Sequence, residues 1–174
     1  MERSLTVLLP VRDAQATLAR NVAELLEVVP ELTGQFELLI VDDGSTDATP
    51  EVAQDLGRYF PQVRLVRLEM PRGRDAAIRT GLERSSGEIV FVRDEAVELG
   101  EEELRNLWCR ASAETDFVGP KTSNEPQSIR WITRPEVHRP LLGPRMPRGI
   151  RLPRWSHTSR PNYLARLRDL ALGE

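Results

Sequence analysis

Apolar residues come in two rhythms along this chain, and the alternation between them sets the expected fold. Leu5-Thr6-Val7-Leu8-Leu9, Leu38-Leu39-Ile40-Val41 and Ile89-Val90-Phe91-Val92 are nearly continuous apolar runs, the pattern of strands covered on both faces. Val63-Arg64-Leu65-Val66-Arg67-Leu68 alternates instead and suits a partly exposed strand. Leu18, Val22, Leu25, Leu26 and Val29 fall at i, i+4, i+7, i+8 and i+11, one face of an amphipathic helix. The pattern predicts further helices over 46–57, from the Arg72–Arg74 region onward, and over 101–112, where Leu104, Leu107 and Trp108 share a face. Strands that alternate with helices make a parallel sheet sandwiched between helices. The expectation is therefore one α/β domain, Rossmann-like and mostly parallel, for which 174 residues provide an adequate core.

The chemistry concentrates where the central strand ends, in Val41-Asp42-Asp43-Gly44-Ser45-Thr46-Asp47. In open parallel sheets ligands collect at the carboxyl ends of strands, so Asp42 and Asp43 stand at the edge of a binding crevice. Alternatively, Gly44 makes the turn, Ser45 or Thr46 caps the next helix and the acids are merely solvated. Asp13, after the first strand, reads either as a cap of the first helix or as a ligand contact. Arg72 and Arg74 open a helix whose dipole prefers acids there, which points to a bound anion, with Asp75 as the competing local partner.

The net charge of −3 conceals an asymmetry. Residues 1–119 carry 13 Arg and 23 acids, a balance of −10, whereas residues 120–174 carry 11 Lys or Arg and 4 acids, a balance of +7. Such a tail faces phosphate, an anionic surface or the acidic body itself. No nucleic-acid motif accompanies it. The single cysteine, Cys109, excludes a disulfide framework. Neither a signal peptide nor a transmembrane stretch is expected, which places the protein in the cytoplasm.

Val41 to Asp47 resembles, residue for residue, the run that ends the second strand of family 2 glycosyltransferases. Other matches follow in order. Pro10 and Asp13 correspond to that family's Pro-Ala-Tyr-Asn-Glu loop, Arg12 standing where tyrosine is usual. Gly73, Arg74, Ala76, Ala77 and Gly81 keep the register of its Asn-x-Gly-Lys-Gly-Ala-Ala helix start. Asp116-Phe117-Val118-Gly119-Pro120-Lys121 is similar to a short strand of the dolichol- and polyprenol-phosphate sugar transferases. The resemblance is good over residues 4–121 and loose beyond.

It implies a GT-A fold, with residues 1–121 as a nucleotide-sugar-binding core and 122–174 as a shortened basic tail packed on it. The implied activity is transfer of a sugar from a nucleotide-diphosphate sugar to a hydroxyl or lipid-phosphate acceptor, the latter reached peripherally at a membrane. Asp42 or Asp43 would hydrogen-bond the base, with Pro10, Arg12 and Asp13 completing that site. Arg74 and Lys121 would hold phosphate, and Asp94 would face the diphosphate. The family's Asp-x-Asp metal motif is replaced by Arg93-Asp94-Glu95. Either Glu95, helped by Asp94, holds a divalent metal (Mg or Mn), or Arg93 itself supplies the positive charge, or Arg93 pairs with a carboxylate in an inactive site. The last option corresponds to a degenerate, non-catalytic module that binds a nucleotide or a partner protein. Asp116 and His157 are the candidates for the general base that transfer to a hydroxyl needs.

Overall fold

The computed structural model describes residues 3–93 and 101–113, and the backbone of 129–133. The elements are β1 (Leu5–Val11), α1 (Leu18–Leu32), β2 (Phe36–Asp42), α2 (Thr49–Tyr59), β3 (Val63–Arg67), α3 (Arg74–Arg84), β4 (Ile89–Arg93), α4 (Glu101–Ala113) and β5 (Ile129–Thr133). They build one five-stranded sheet in the order β3-β2-β1-β4-β5. The first four strands are parallel, and β5 runs antiparallel to β4 with Phe91 opposite Trp131. The α/β, mostly parallel sheet anticipated from the apolar runs is thus present. The sequence pattern predicts no strand at 129–133, so the sheet draws β5 from beyond the expected boundary at residue 121.

The strand order locates the site. From β1 the chain steps outward to β2 and β3, then α3 carries it back to β4 on the other side of β1. That reversal is a topological switch point, and it leaves a crevice above the carboxyl ends of the strands. Two clusters hold the layers together. The larger lies between the sheet and α1, α2 and α4, with Leu5, Val7, Leu9, Val22, Leu25, Leu38, Ile40, Leu56 and Phe91 among its members. The smaller lies under α3, with Leu8, Leu39, Val41, Ala77, Val90 and Val92. Alternate residues of each strand serve opposite clusters, as the pleat requires. Gly81 lets α3 lie close on β1, because a Cβ there would meet Leu8 Cδ1 at 2.2 Å.

β4 begins at Ile89, where its apolar run begins, and residues 86–88 before it are held in a polar junction at the opposite end of the sheet from the crevice. Glu37 is its centre. Its carboxylate accepts the Thr6 hydroxyl at 2.8 Å, the Ser86 N–H at 2.6 Å and Arg64 at 2.6 Å, while Gly87 N–H donates to Thr6 at 2.9 Å. Burial alone would raise the Glu37 pKa, but the Ser86, Thr6 and Arg64 hydrogen bonds outweigh it and hold the carboxyl below its ordinary range.

Glu37→Gln should therefore cost about 1–3 kcal/mol in urea unfolding at neutral pH, since it weakens three charge-assisted bonds in a buried junction. The group's contribution is complete above the unfolded carboxyl value of 4.5 and is lost as acidification passes through the lower folded value. The variant should lose less stability than the wild type across that acid window. Identical acid slopes for the two proteins would refute the assignment.

Candidate functional site

The crevice is walled by the loops that follow β1, β2 and β3, and carboxylates stitch these loops to one another. Asp42 closes β2 and is fully buried. One of its oxygens accepts the Ser45 N–H at 3.0 Å and also the Ser45 hydroxyl. The other has no hydrogen-bond partner and lies 3.3 Å from Arg67 Nε. Arg67 also donates to the Ser45 carbonyl at 3.4 Å. Asp43, 4% exposed, accepts the N–H groups of Arg72 at 2.7 Å and Gly73 at 2.9 Å, one on each oxygen. Its own N–H donates to the Val11 carbonyl at 2.9 Å. Gly44 adopts φ +65°, and a Cβ there would lie 2.7 Å from Pro71 N, so only glycine admits the loop after β3 this closely.

The loop after β1 is bound in the same way. Asp13 adopts φ 51°, a conformation that Asp tolerates better than most residues. Its N–H donates to Ser45 Oγ at 2.9 Å, and its carboxylate accepts the Thr46 N–H at 2.8 Å and the Thr46 hydroxyl at 3.2 Å. Ser45 thus relays Asp13 to Asp42. Further out, Ala14 N–H donates to Thr49 Oγ1 at 2.7 Å and Gln15 N–H to Asp47 at 3.1 Å. Slight desolvation is outweighed at Asp47 by hydrogen bonds from Thr49 and Gln15, which lower its pKa. These contacts also correct the expected caps: α1 starts after Thr17 and α2 after Ala48, so neither Asp13 nor Ser45 nor Thr46 occupies a cap position.

The candidate residues fall into three groups. Asp13, Asp42 and Asp43 are brought together around one turn, as placed by the sequence, but each carboxylate is engaged by protein groups. Pro10 is buried within β1 opposite Val41 and does not shape a turn. Arg12 is exposed, its Nε 3.8 Å from Asp13, and Arg74 is exposed at the first position of α3. Asp94, Glu95, Asp116, Lys121 and His157 lie outside the described residues. Sequence reasoning missed Arg67. Its signal was available, because the last residue of an edge strand beside an acid-terminated one is well placed for an ion pair.

Arg93 has a definite outcome. It ends β4 in phase with Ile89 and Phe91, so the pleat directs it toward α1, and it is 2% exposed. Its guanidinium donates to the Asn21 carbonyl at 2.9 Å and to Glu24 at 3.0 Å. It therefore neither brings its charge to the crevice nor covers Asp42 or Asp43. Among the described residues no group of three acidic, histidine or cysteine side chains could hold a metal ion; Asp94 and Glu95, the expected ligands, lie outside them.

The family model described as "Glycosyl transferase family 2" matches residues 6–170. The undecaprenyl-phosphate 4-deoxy-4-formamido-L-arabinose transferase of Pseudomonas aeruginosa (strain LESB58) is 33% identical over 132 residues, covering 74% of this chain but 39% of that protein. Among solved structures, S. aureus TarS 1-349 is similar with a TM-score of 0.50 at 21% identity, over 71% of this chain and 38% of that one. The mannosyltransferase PcManGT from Pyrobaculum calidifontis, in complex with GDP-Man and Mn2+, is similar with a TM-score of 0.47 at 26% identity, over 61% and 31%. The chain thus spans well under half the length of these relatives.

Two stability measurements follow from the site's geometry. Glu24→Ala should cost about 1–3 kcal/mol despite the exposure of Glu24, because it leaves the Arg93 guanidinium buried without its counter-charge. Arg93→Met, which leaves only a solvated carboxylate behind, should cost less; the reverse order would contradict the pairing. Gly44→Ala should destabilise by about 2 kcal/mol or more, through positive φ and the Pro71 contact together.

Proposed function

The chain belongs to glycosyl transferase family 2, and from that premise we propose that it binds a nucleotide-diphosphate sugar in the crevice above β1 and β2 and transfers the sugar to a lipid-phosphate or hydroxyl acceptor. The observation that supports this most directly is the stitched rim around Asp42 and Asp43. Three strand ends are locked together there, and exposed Arg12, Arg67, Arg72 and Arg74 surround them. A preorganised rim with cations at its edge suits a ligand that carries a base, a ribose and two phosphates. The lipid-phosphate class comes from the relative named as an undecaprenyl-phosphate sugar transferase.

In the proposed reaction an acceptor oxygen attacks the anomeric carbon, and the bond from that carbon to the diphosphate breaks with its electron pair leaving on the diphosphate. Charge therefore grows on the leaving phosphate, where positioned guanidiniums stabilise it most. A hydroxyl acceptor would surrender its proton to a base, for which Asp116 and His157 remain the candidates. A phosphate acceptor is already anionic and makes little demand on such a base. A divalent cation would enter through Asp94 and Glu95, where it would add positive charge beside the leaving group.

Residues 1–121 would form the donor half, and the basic stretch beyond them would meet the acceptor. Among the described residues no helix is long and apolar enough to cross a membrane. A lipid acceptor would then be approached from the membrane surface, where a segment with a balance of +7 gains from anionic lipids.

The test is transfer itself. The protein would be incubated with uridine and guanosine diphosphate sugars labelled in the sugar, together with undecaprenyl phosphate in detergent, and label followed into the lipid extract. One donor should label the lipid, and Asp43→Ala, checked for fold by circular dichroism, should reduce transfer about a hundredfold or more by loosening the loop after β3. No transfer from any donor, together with no binding of any nucleoside diphosphate, would remove this function.

A further inference from the structure

Asp42 and Asp43 are neighbours in sequence but fasten different walls of the crevice. Asp43 takes the N–H groups of Arg72 and Gly73, so it holds the loop after β3. Asp42 holds the turn that follows β2 through the Ser45 N–H and hydroxyl, and Ser45 Oγ in turn accepts the Asp13 N–H from the loop after β1. One acid therefore joins the loops after β1 and β2, and the other brings in the loop after β3.

The Asp42 clasp is incomplete by itself. Its Oδ2 is buried and receives no hydrogen bond, a costly state for a carboxylate oxygen without a counter-charge beside it. Arg67 supplies that charge. It lies opposite Asp42 in the β2–β3 register, its Nε is 3.3 Å from Oδ2, and its guanidinium donates to the Ser45 carbonyl at 3.4 Å. One side chain, itself 53% exposed, thus spans the turn from its first acid to Ser45. Without it, the turn would have to open for water to reach Oδ2, and Ser45 would move with the turn, away from Asp13.

We infer that Arg67 is a positioning residue for the nucleoside half of the ligand, acting through Asp42 and Ser45 and not as a contact to phosphate. The inference rests on the nucleotide-sugar reading above and refines it. In doubly wound folds an acid beyond the first βα unit meets the ribose, whereas the phosphates sit at a helix N-terminus. The loops joined by Ser45 are therefore the nucleoside wall, and the loop held by Asp43 leads to the start of α3. Arg67 fixes the first wall, while the second keeps its own clasp.

Titration of the whole chain with uridine, guanosine and their diphosphates, followed by NMR shifts so that millimolar affinities are read, tests this directly. For the base that binds, Arg67→Ala should weaken the nucleoside and its diphosphate by the same factor, about tenfold, because only the nucleoside wall is loosened. Arg67→Lys, which keeps the charge beside Oδ2 but not the planar fork, should recover part of the loss for both ligands. Arg67→Ala is compared below its own melting temperature; should it fail to fold, Arg67→Lys carries the comparison with a smaller common loss. A loss confined to the diphosphate, or larger for it, would mark a phosphate contact or a general loosening and overturn the inference. So would unchanged affinities, or a wild type that binds the diphosphate but not its nucleoside, and in each case the nucleotide-sugar reading stands. No binding of any of the four ligands by the wild type would remove both.

Discussion

The structure of the site depends on one arrangement: buried carboxylates at the end of β2 that accept backbone N–H groups from the neighbouring loops. A loop after a parallel strand has few partners of its own, since its amides have left the ladder and face water. Here Asp43 takes two such amides from the loop after β3, and Asp42 takes the turn that follows it. Hydrogen bonds to ionised acceptors are roughly twice as strong as neutral ones. Each is also protected from water, because Asp42 and Asp43 are 0% and 4% exposed. Without them, the loops that wall the crevice would be independent segments on a common sheet.

That arrangement gives a second meaning to the run Val41–Asp47. A strand that ends in two acids reads naturally as a ligand site, and the reversal of strand order falls beside it. Yet the side chains that carry the motif are mostly turned inward: Ser45 bridges Asp13 and Asp42, Gly44 admits Pro71, and Asp47 engages Gln15 and Thr49. The motif builds the rim, and the groups left facing solvent are arginines contributed by less regular stretches. A sequence can therefore keep this run for its architecture while the residues in contact with a ligand vary around it.

How much was legible in the chain follows from the range of the forces involved. The four parallel strands and their helices were legible because burial on two faces leaves a local record, the continuous apolar run. The position of the crevice was legible for the same reason, through the order of the elements. What was not legible depended on pairing across the sheet. β5 lacks a long apolar run and owes its place to β4. Asp13 holds the distant Thr46 and does not cap α1, and Asp47 joins the Gln15 N–H to the first residue of α2, Thr49. Arg67 and Glu24 acquire their roles only when β3 meets β2 and α1 meets β4. Glu37, a lone acid in an apolar strand, was the one visible sign of the junction at the far end of the sheet.

Arg93 shows how a pleat can decide the meaning of a substitution. Read along the chain, an arginine in an acidic motif looks like a cation delivered to the diphosphate. The strand's period of two instead sends position 93 to the α1 side, where Val92 and Val90 are not, and the guanidinium ends among Asn21 and Glu24. A buried arginine is tolerable only with such partners, and even here its Nε has none. Position 93 thus brings no positive charge to the crevice. Among the described residues the exposed cations beside the turn are Arg12, Arg67, Arg72 and Arg74.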